Sequence, residues 1–235
     1  MLLICINKKL QSSIINKQST ISYMFTIKQF VFSPIEENTY LLYNENKNAI
    51  LIDPGCYSIA EKNTLKKFLD EHQLNLKMLL NTHCHLDHVF GNKWVNETYG
   101  LQPIIHKDEE PMLRYAAMAG EKWSLPFDNY EGAVEYINEE DVISLDEDEL
   151  HVILAPGHSP GHVCFYSKAQ NFIIGGDVLF YESIGRTDFP MCSHEDLIRN
   201  IKEKIFILPD ETDVYAGHGR PTTVGHEKQY NPFID

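Results

Sequence analysis

A chain of 235 residues suits one domain with a sizeable core, and 43% hydrophobic with 23% charged residues is an ordinary globular balance. The formal net charge of −14 opposes binding to a nucleic-acid backbone, which needs a basic surface, and disfavours an anionic membrane surface. No apolar run approaches the ~20 residues of a membrane span. The five cysteines (Cys5, Cys56, Cys84, Cys164 and Cys192) are scattered, odd in number and without a C-x-x-C pair, so no disulfide framework is expected and a reducing cytoplasm is the simplest location.

Residues 1–23 carry Lys8, Lys9 and Lys17, no acidic residue and no organised pattern. Their apolar start precedes the lysines, the reverse of a secretory signal, and is too short for one. The segment reads as a disordered tail, or as an upstream extension with Met24 as the working first residue. The domain then covers 24–235. From Phe25 the chain turns to strands. Residues 25–32, 39–43 and 49–52 form short apolar or alternating runs, parted by polar turns such as 44–48. Asp53-Pro54-Gly55 closes the third run. Ser58 with Glu61 makes a capping box, and Leu65, Phe68 and Leu69 share one face of the helix that follows. A strand over 76–82 leads into a loop rich in histidine, and a second helix runs through Trp94 and Val95 to a stop at Gly100. Another short strand fits 103–106. Residues 107–134 predict a helix plus a loop. With Tyr115, Trp123, Phe127 and Tyr130, the segment is either a substrate lid or a peripheral insertion packing its own aromatics.

The second half repeats the arrangement. Strands are expected near 142–145, 150–155, 163–167 and 171–176. A helix over 193–207 buries Leu197, Ile198, Ile201 and Ile205, and a strand at 213–216 and a helix at 223–230 complete the chain. Strands then a helix, twice over, predict an α+β fold of two mixed sheets packed together with helices outside. There is no βαβαβ alternation of the doubly wound kind, no G-x-G-x-x-G, no P-loop and no linker.

The loop after the 76–82 strand is Thr82-His83-Cys84-His85-Leu86-Asp87-His88. A strand-to-helix loop is where a rigid scaffold presents functional groups. His83 and His85, two apart, can face one point, while the adjacent Asp87 and His88 are expected to point in different directions. Four ligands from one loop divide more easily between two metals than they crowd onto one. Three later strand-like runs also end in a ligand-type residue beside glycine or proline: Pro156-Gly157-His158, Gly176-Asp177 and Gly217-His218-Gly219. Cys84 is expected to pack away from the metals. His162 is a candidate to support a ligand from behind. His72, His106, His151, His194 and His226 stand outside the pattern.

This H-x-H-x-D-H loop, followed by His, Asp and His in order, resembles the metallo-β-lactamase superfamily, from about Met24 to the C-terminus. The resemblance implies an αββα sandwich with a two-metal site on one edge. His83, His85 and His158 would bind one metal, Asp87, His88 and His218 the other, and Asp177 would bridge them, with Asp87 and Asp177 as the catalytic carboxylates. Five neutral imidazoles and two carboxylates leave two divalent ions with a surplus of positive charge, which invites a bridging hydroxide and a polarisable substrate. Nitrogen and oxygen ligands suit zinc, iron or manganese, with zinc the default.

Gly185-Arg186-Thr187-Asp188-Phe189-Pro190 and the ending Asn231-Pro232-Phe233 are similar to small single-domain type II glyoxalase-like proteins. That likeness implies hydroxyacylglutathione hydrolase-like cleavage of a small-molecule acyl thioester, with the bridging hydroxide attacking its carbonyl. A thiol leaving group with a pKa near ~8.5 needs little acid assistance. Arg186 would hold the carboxylate of the thiol carrier, or would pair with Asp188 and shape the loop. The resemblance does not extend to the additional helical domain of full-length glyoxalase II, which puts glutathione itself in question. The main alternative is a persulfide dioxygenase-like mono-iron oxidoreductase. An exported lactamase, an RNA-processing nuclease and a non-catalytic metal protein fit less of the pattern. The oligomeric state is open.

Overall fold

The computed structural model describes residues 24–234, so the expectations for residues 1–23 lie outside the described residues. The first sheet comprises β1 (Thr26–Phe32), β2 (Glu37–Tyr43), β3 (Asn48–Ile52), β4 (Asn75–Leu80), β5 (Pro103–His106) and β6 (Glu135–Ile137), in that spatial order. The second comprises β7 (Val142–Leu145), β8 (Asp148–Leu154), β9 (Val163–Ser167), β10 (Phe172–Gly176), β13 (Asp213–Ala216) and β14 (Thr222–Thr223), in the order β14-β13-β10-β9-β8-β7. A separate ribbon pairs β11 (Leu179–Phe180) with β12 (Ser183–Ile184). The helices are α1 (Ile59–His72), α2 (Leu86–Val89), α3 (Asn92–Tyr99), α4 (Glu110–Lys122), α5 (His194–Asn200), continued by a π-helical turn at Ile201–Ile205, and α6 (Val224–Tyr230).

Both faces of each sheet are covered, which is why the strands read as near-continuous apolar runs. Leu42 of β2, Ile50 and Ile52 of β3 and Leu80 of β4 meet Val152, Phe165 and Ile174 of the second sheet between the layers. Their neighbours Leu41, Leu51 and Leu79 point the other way, against Leu65 and Leu69 of α1 and Val95 of α3. On the far side, Cys164, Ile173 and Val214 pack under Leu197 of α5, Ile201 and Val224 of α6. The expected capping box is present: Ser58 accepts from the Glu61 amide, and Glu61 accepts from the Ser58 amide at 2.7 Å.

The first sheet corrects one expectation. Strands β3, β4, β5 and β6 are all parallel, so the chain makes three successive βαβ crossovers there. The fold is still not doubly wound. Helices occupy one face only, because the second sheet already covers the other. Among the described residues no helix is long and apolar enough to cross a membrane.

Candidate metal centre

The residues singled out in sequence leave the sheets at one edge. The His83–His88 loop follows β4, His158 lies between β8 and β9, Asp177 follows β10, and His218 follows β13. Two groups form, His83–His85–His158 and Asp87–His88–His218, and within each the ligating atoms lie within 4.8 Å of one another. His85 Nδ1 is 2.8 Å from His158 Nε2, and His218 Nε2 is 3.1 Å from Asp87 Oδ2. The Asp177 carboxylate stands between the groups. Its Oδ2 is 3.4 Å from His158 Nε2 and 3.7 Å from His218 Nε2, and its Oδ1 is 3.5 Å from His88 Nε2. Asp87 and His88 leave the chain in different directions. They form the first turn of α2, where neighbours diverge by about 100° rather than the near-reversal of an extended chain, and both reach the second group.

Glycine is required where the backbone closes on this centre. A Cβ at Gly176 would lie 2.5 Å from Thr82 Oγ1 and 2.6 Å from His162 Nε2. One at Gly217 would lie 2.1 Å from Asp177 Oδ1.

Most of the histidines are held by their outer nitrogen. His88 Nδ1 donates to Asp53 Oδ2 at 3.1 Å, His158 Nδ1 to the Arg186 carbonyl at 2.8 Å, and His218 Nδ1 to the Glu36 carbonyl at 3.3 Å. Thr82 Oγ1 donates to Asp53 at 2.6 Å and accepts from His83 Nδ1 at 3.1 Å. Each bond fixes the tautomer and turns the Nε2 lone pair inward. The buried atoms His83 Nε2, His88 Nε2 and Asp177 Oδ1 have no hydrogen-bond partner in the protein. Buried polar atoms are normally paired, so this donor set fits a cation bound among them.

The electrostatics separate the two groups. Burial, reinforced by neighbouring imidazoles, holds His83 well below its ordinary value and pushes His85 down to about 3. Burial also lowers His158, against the opposing charge of Asp177. These rings are neutral at pH 7, as ligands must be. In the second group burial acts in the same direction, but carboxylates overcome it. Asp177, Asp87 and Asp53 raise His88 well above its usual value, and Asp177 and Asp87 raise His218. Burial would raise Asp177, yet the charges of His88 and His218 hold it far below the usual carboxylate range. The carboxylates thus favour positive charge at this group, which a bound cation or protons on His88 and His218 would supply.

Three buried acids escaped the sequence reading. Asp53 has a left-handed backbone (φ 50°), which short polar side chains tolerate better than others. Its atoms lie near those of His83 and His88, but both oxygens are occupied: Oδ1 takes the Thr82 amide at 2.7 Å, and Oδ2 takes Thr82 Oγ1 and His88. It backs the ligands. The sequence signal was Asp53-Pro54-Gly55 at the end of a buried strand, which read only as a turn. Glu37 Oε2 accepts from Thr39, while Oε1 lies 3.9 Å from His88 Nδ1 without a hydrogen bond. Burial raises its carboxyl well above the usual range. Glu109, just before α4, accepts from the Cys84 amide at 2.8 Å, the Gly161 amide at 2.7 Å and the Ser159 hydroxyl at 2.5 Å. It clamps the His83–His88 loop to the His158 loop. Burial pushes its carboxyl up, and the three hydrogen bonds oppose that shift. No local pattern marks Glu109 among the acids around it.

The remaining residues divide clearly. Cys84 is buried with Val89, Ile105 and Leu113, and burial raises its thiol well above the usual value, so it lies outside both groups. His162 stacks on His83 with ring centroids 4.7 Å apart, and its Nε2 accepts from the Asp177 amide at 3.0 Å. His72, His106, His151, His194 and His226 belong to neither group. Arg186 lies at the mouth of the site, bonded to both oxygens of Asp188 at 2.7 Å and resting 3.9 Å from the Phe189 ring. A cleft of about 890 Å³ opens above the two groups, with His85, Asp87, His158, Asp177 and His218 as its floor. Its walls are α4 and the segment 180–191. In the 107–134 region, α4 faces the cleft while Phe127 and Tyr130 pack with Cys84, Val89, Ile105 and Leu113 beneath it.

The chain matches the family described as the metallo-beta-lactamase superfamily over residues 33–218. It is 35% identical to the hydroxyacylglutathione hydrolase GloC of Haemophilus influenzae, covering 85% of this chain and 93% of that protein. It is 32% identical to the probable metallo-hydrolase YqgX of Bacillus subtilis, covering 86% and 94%. Among solved structures, the B3 metallo-beta-lactamase BLEG-1 superposes with a TM-score of 0.82 at 34% identity, over 89% of this chain and 99% of that one. The di-iron-bound form of TTHA1623 gives 0.80 at 33%, over 88% and 100%. ETHE1 from Myxococcus xanthus, at 24% identity, a TM-score of 0.72 and 88% and 83% coverage, shares the fold. The motif, the layered fold and these similarities agree: the chain belongs to the metallo-beta-lactamase superfamily.

Proposed function

We propose that the protein is a binuclear metal-dependent hydrolase of acyl thioesters, similar in activity to hydroxyacylglutathione hydrolase. The observation that carries this reading is the Asp177 carboxylate, with one oxygen toward His88 and the other toward His158 and His218. His83, His85 and His158 would hold one divalent ion and Asp87, His88 and His218 a second, with Asp177 shared. Zinc is the proposed metal. Divalent ions held there would supply an activated water at neutral pH and polarise a carbonyl. The likeness to GloC supports a thioester as substrate.

The chain's own groups supply the rest. Asp53, the Arg186 carbonyl and the Glu36 carbonyl keep His88, His158 and His218 in the tautomer that faces inward. Asp87, 3.1 Å from His218 and largely shielded from water, would hold the second ion as a carboxylate, which its neighbouring histidines favour. Hydrolysis forms a C–O bond and breaks the C–S bond, and the thiol leaves with the proton that water gives up. Arg186 is assigned to the anionic end of the thiol carrier, which would displace Asp188 from it. The four described cysteines are free, which supports a reducing cytoplasm as the compartment.

The test is metal analysis of the purified protein together with a thioester panel. The expected result is two metals per chain and thioester cleavage. One iron per chain, with oxygen consumption on a persulfide, overturns the reading in favour of a dioxygenase.

A further inference from the structure

The walls of the cleft above the two groups are mostly apolar. Helix α4 contributes Met112, Ala116 and Ala119 on one side, and the segment after β11 contributes Ile184, Phe189 and Met191 on the other. Trp123 and Met191 line the same cleft at 49% and 58% exposure. Large apolar side chains gathered around a concavity mark a binding surface rather than scattered exposure. Above the floor the lining carries only two cations, Lys122 and Arg186, and both are engaged: Lys122 with the Tyr115 hydroxyl and Arg186 with Asp188. About 890 Å³ is near the upper end for a small-molecule site, and a short hydroxyacyl group fills a small part of it.

We propose that the trough between α4 and residues 184–191 is an acyl-chain subsite, and that the preferred substrates carry an uncharged aliphatic acyl group of medium length on the thioester carbonyl. This rests on the thioester reading given above. The carbonyl lies over the floor, the chain runs along the α4 wall past Met112, Ala116 and Ala119, and the carrier leaves on the opposite side, where Arg186 rests on Phe189. An apolar chain gains in this trough by leaving water. A charged chain loses hydration against the apolar walls, where Lys122 and Arg186 already have partners.

The experiment uses the metal-loaded protein with two matched series, S-acyl-glutathiones and S-acyl-N-acetylcysteamines, from acetyl to octanoyl. Burial of a methylene raises kcat/KM about fourfold, so both series are expected to climb until the trough is filled. A second readout needs no hydrolysis: titration of alkanoates from butanoate to decanoate, followed by tryptophan fluorescence through Trp123, with affinity expected to rise by the same factor per methylene. Ala119→Glu places a charge in the trough and flattens both slopes, and Ala119→Leu moves the optimum to shorter chains. Thioester cleavage indifferent to acyl length overturns the subsite and leaves the thioester reading intact. A graded alkanoate affinity without thioester cleavage supports the subsite and overturns that reading. A flat alkanoate series with no cleavage overturns both.

Discussion

Replacing Asp53 by Asn changes one atom and tests how the second group is built. Thr82 donates its amide to Oδ1 at 2.7 Å, while Oδ2 faces His88 Nδ1 at 3.1 Å and the Thr82 hydroxyl at 2.6 Å. Asparagine offers one acceptor and one NH2, so one of these donors must face an NH2 in either orientation. If the NH2 faces His88, the proton on Nδ1 loses its acceptor. The ring is then driven toward the tautomer with hydrogen on Nε2, which removes the lone pair aimed at the centre. Loss of such a backing group weakens metal binding by about 10–100-fold, or roughly 1.4–2.8 kcal/mol. If the NH2 instead faces the Thr82 amide, a buried donor is left unsatisfied at a cost of about 1–3 kcal/mol in folding stability. Chelator competition and urea unfolding of the same protein separate the two outcomes. An Asp53→Asn protein that binds metal and unfolds as the wild type does would refute the reasoning.

Glu109→Ala strips the acceptor from two buried amides and a hydroxyl, so it should lower urea stability by roughly 3–5 kcal/mol, and Glu109→Gln, which mispairs one side, by about 1–3 kcal/mol. Asp87→Ala removes one ligand of the second group and should halve the metal content and abolish most activity while circular dichroism is unchanged. Metal uptake should release protons unequally. His88 and His218 hold protons above the ordinary histidine range, so binding at their group displaces them, and its affinity rises with pH until those raised pKa values are passed. His83, His85 and His158 are already neutral at pH 7, and binding there should be flat across neutral pH. Calorimetry in buffers of different ionisation enthalpy counts the protons. Asp188→Ala frees Arg186 and should lower KM for a carrier that bears a carboxylate, whereas Arg186→Ala raises it; equal kinetics in both variants would remove Arg186 from substrate binding.

Local pattern made much of the chain legible. The Ser58–Glu61 capping box, the strand-like apolar runs and the ligand-type residues after them are short-range features, and short-range physics decides them. The dense His83–His88 loop was legible for the same reason, since several metal-capable side chains on one turn have few other uses. Asp87 and His88 leave the chain in different directions, and the start of α2 is what lets both reach one group. The parallel crossovers of β3 to β6 were missed because apolar runs do not record which strand lies beside which.

The residues that support the site belong to tertiary structure alone. Asp53 reaches His88 across 35 positions and Glu109 reaches Gly161 across 52, and each sits in a stretch that looks like an ordinary turn or an acidic helix start. A carboxylate is costly to bury unless donors surround it, and those donors come from loops that only folding brings together. The sequence could therefore name the residues that would face a metal. Which nitrogen of each ring faces inward, what charge it carries and how apolar the space above it is were decided by how the two sheets and their helices close on one another.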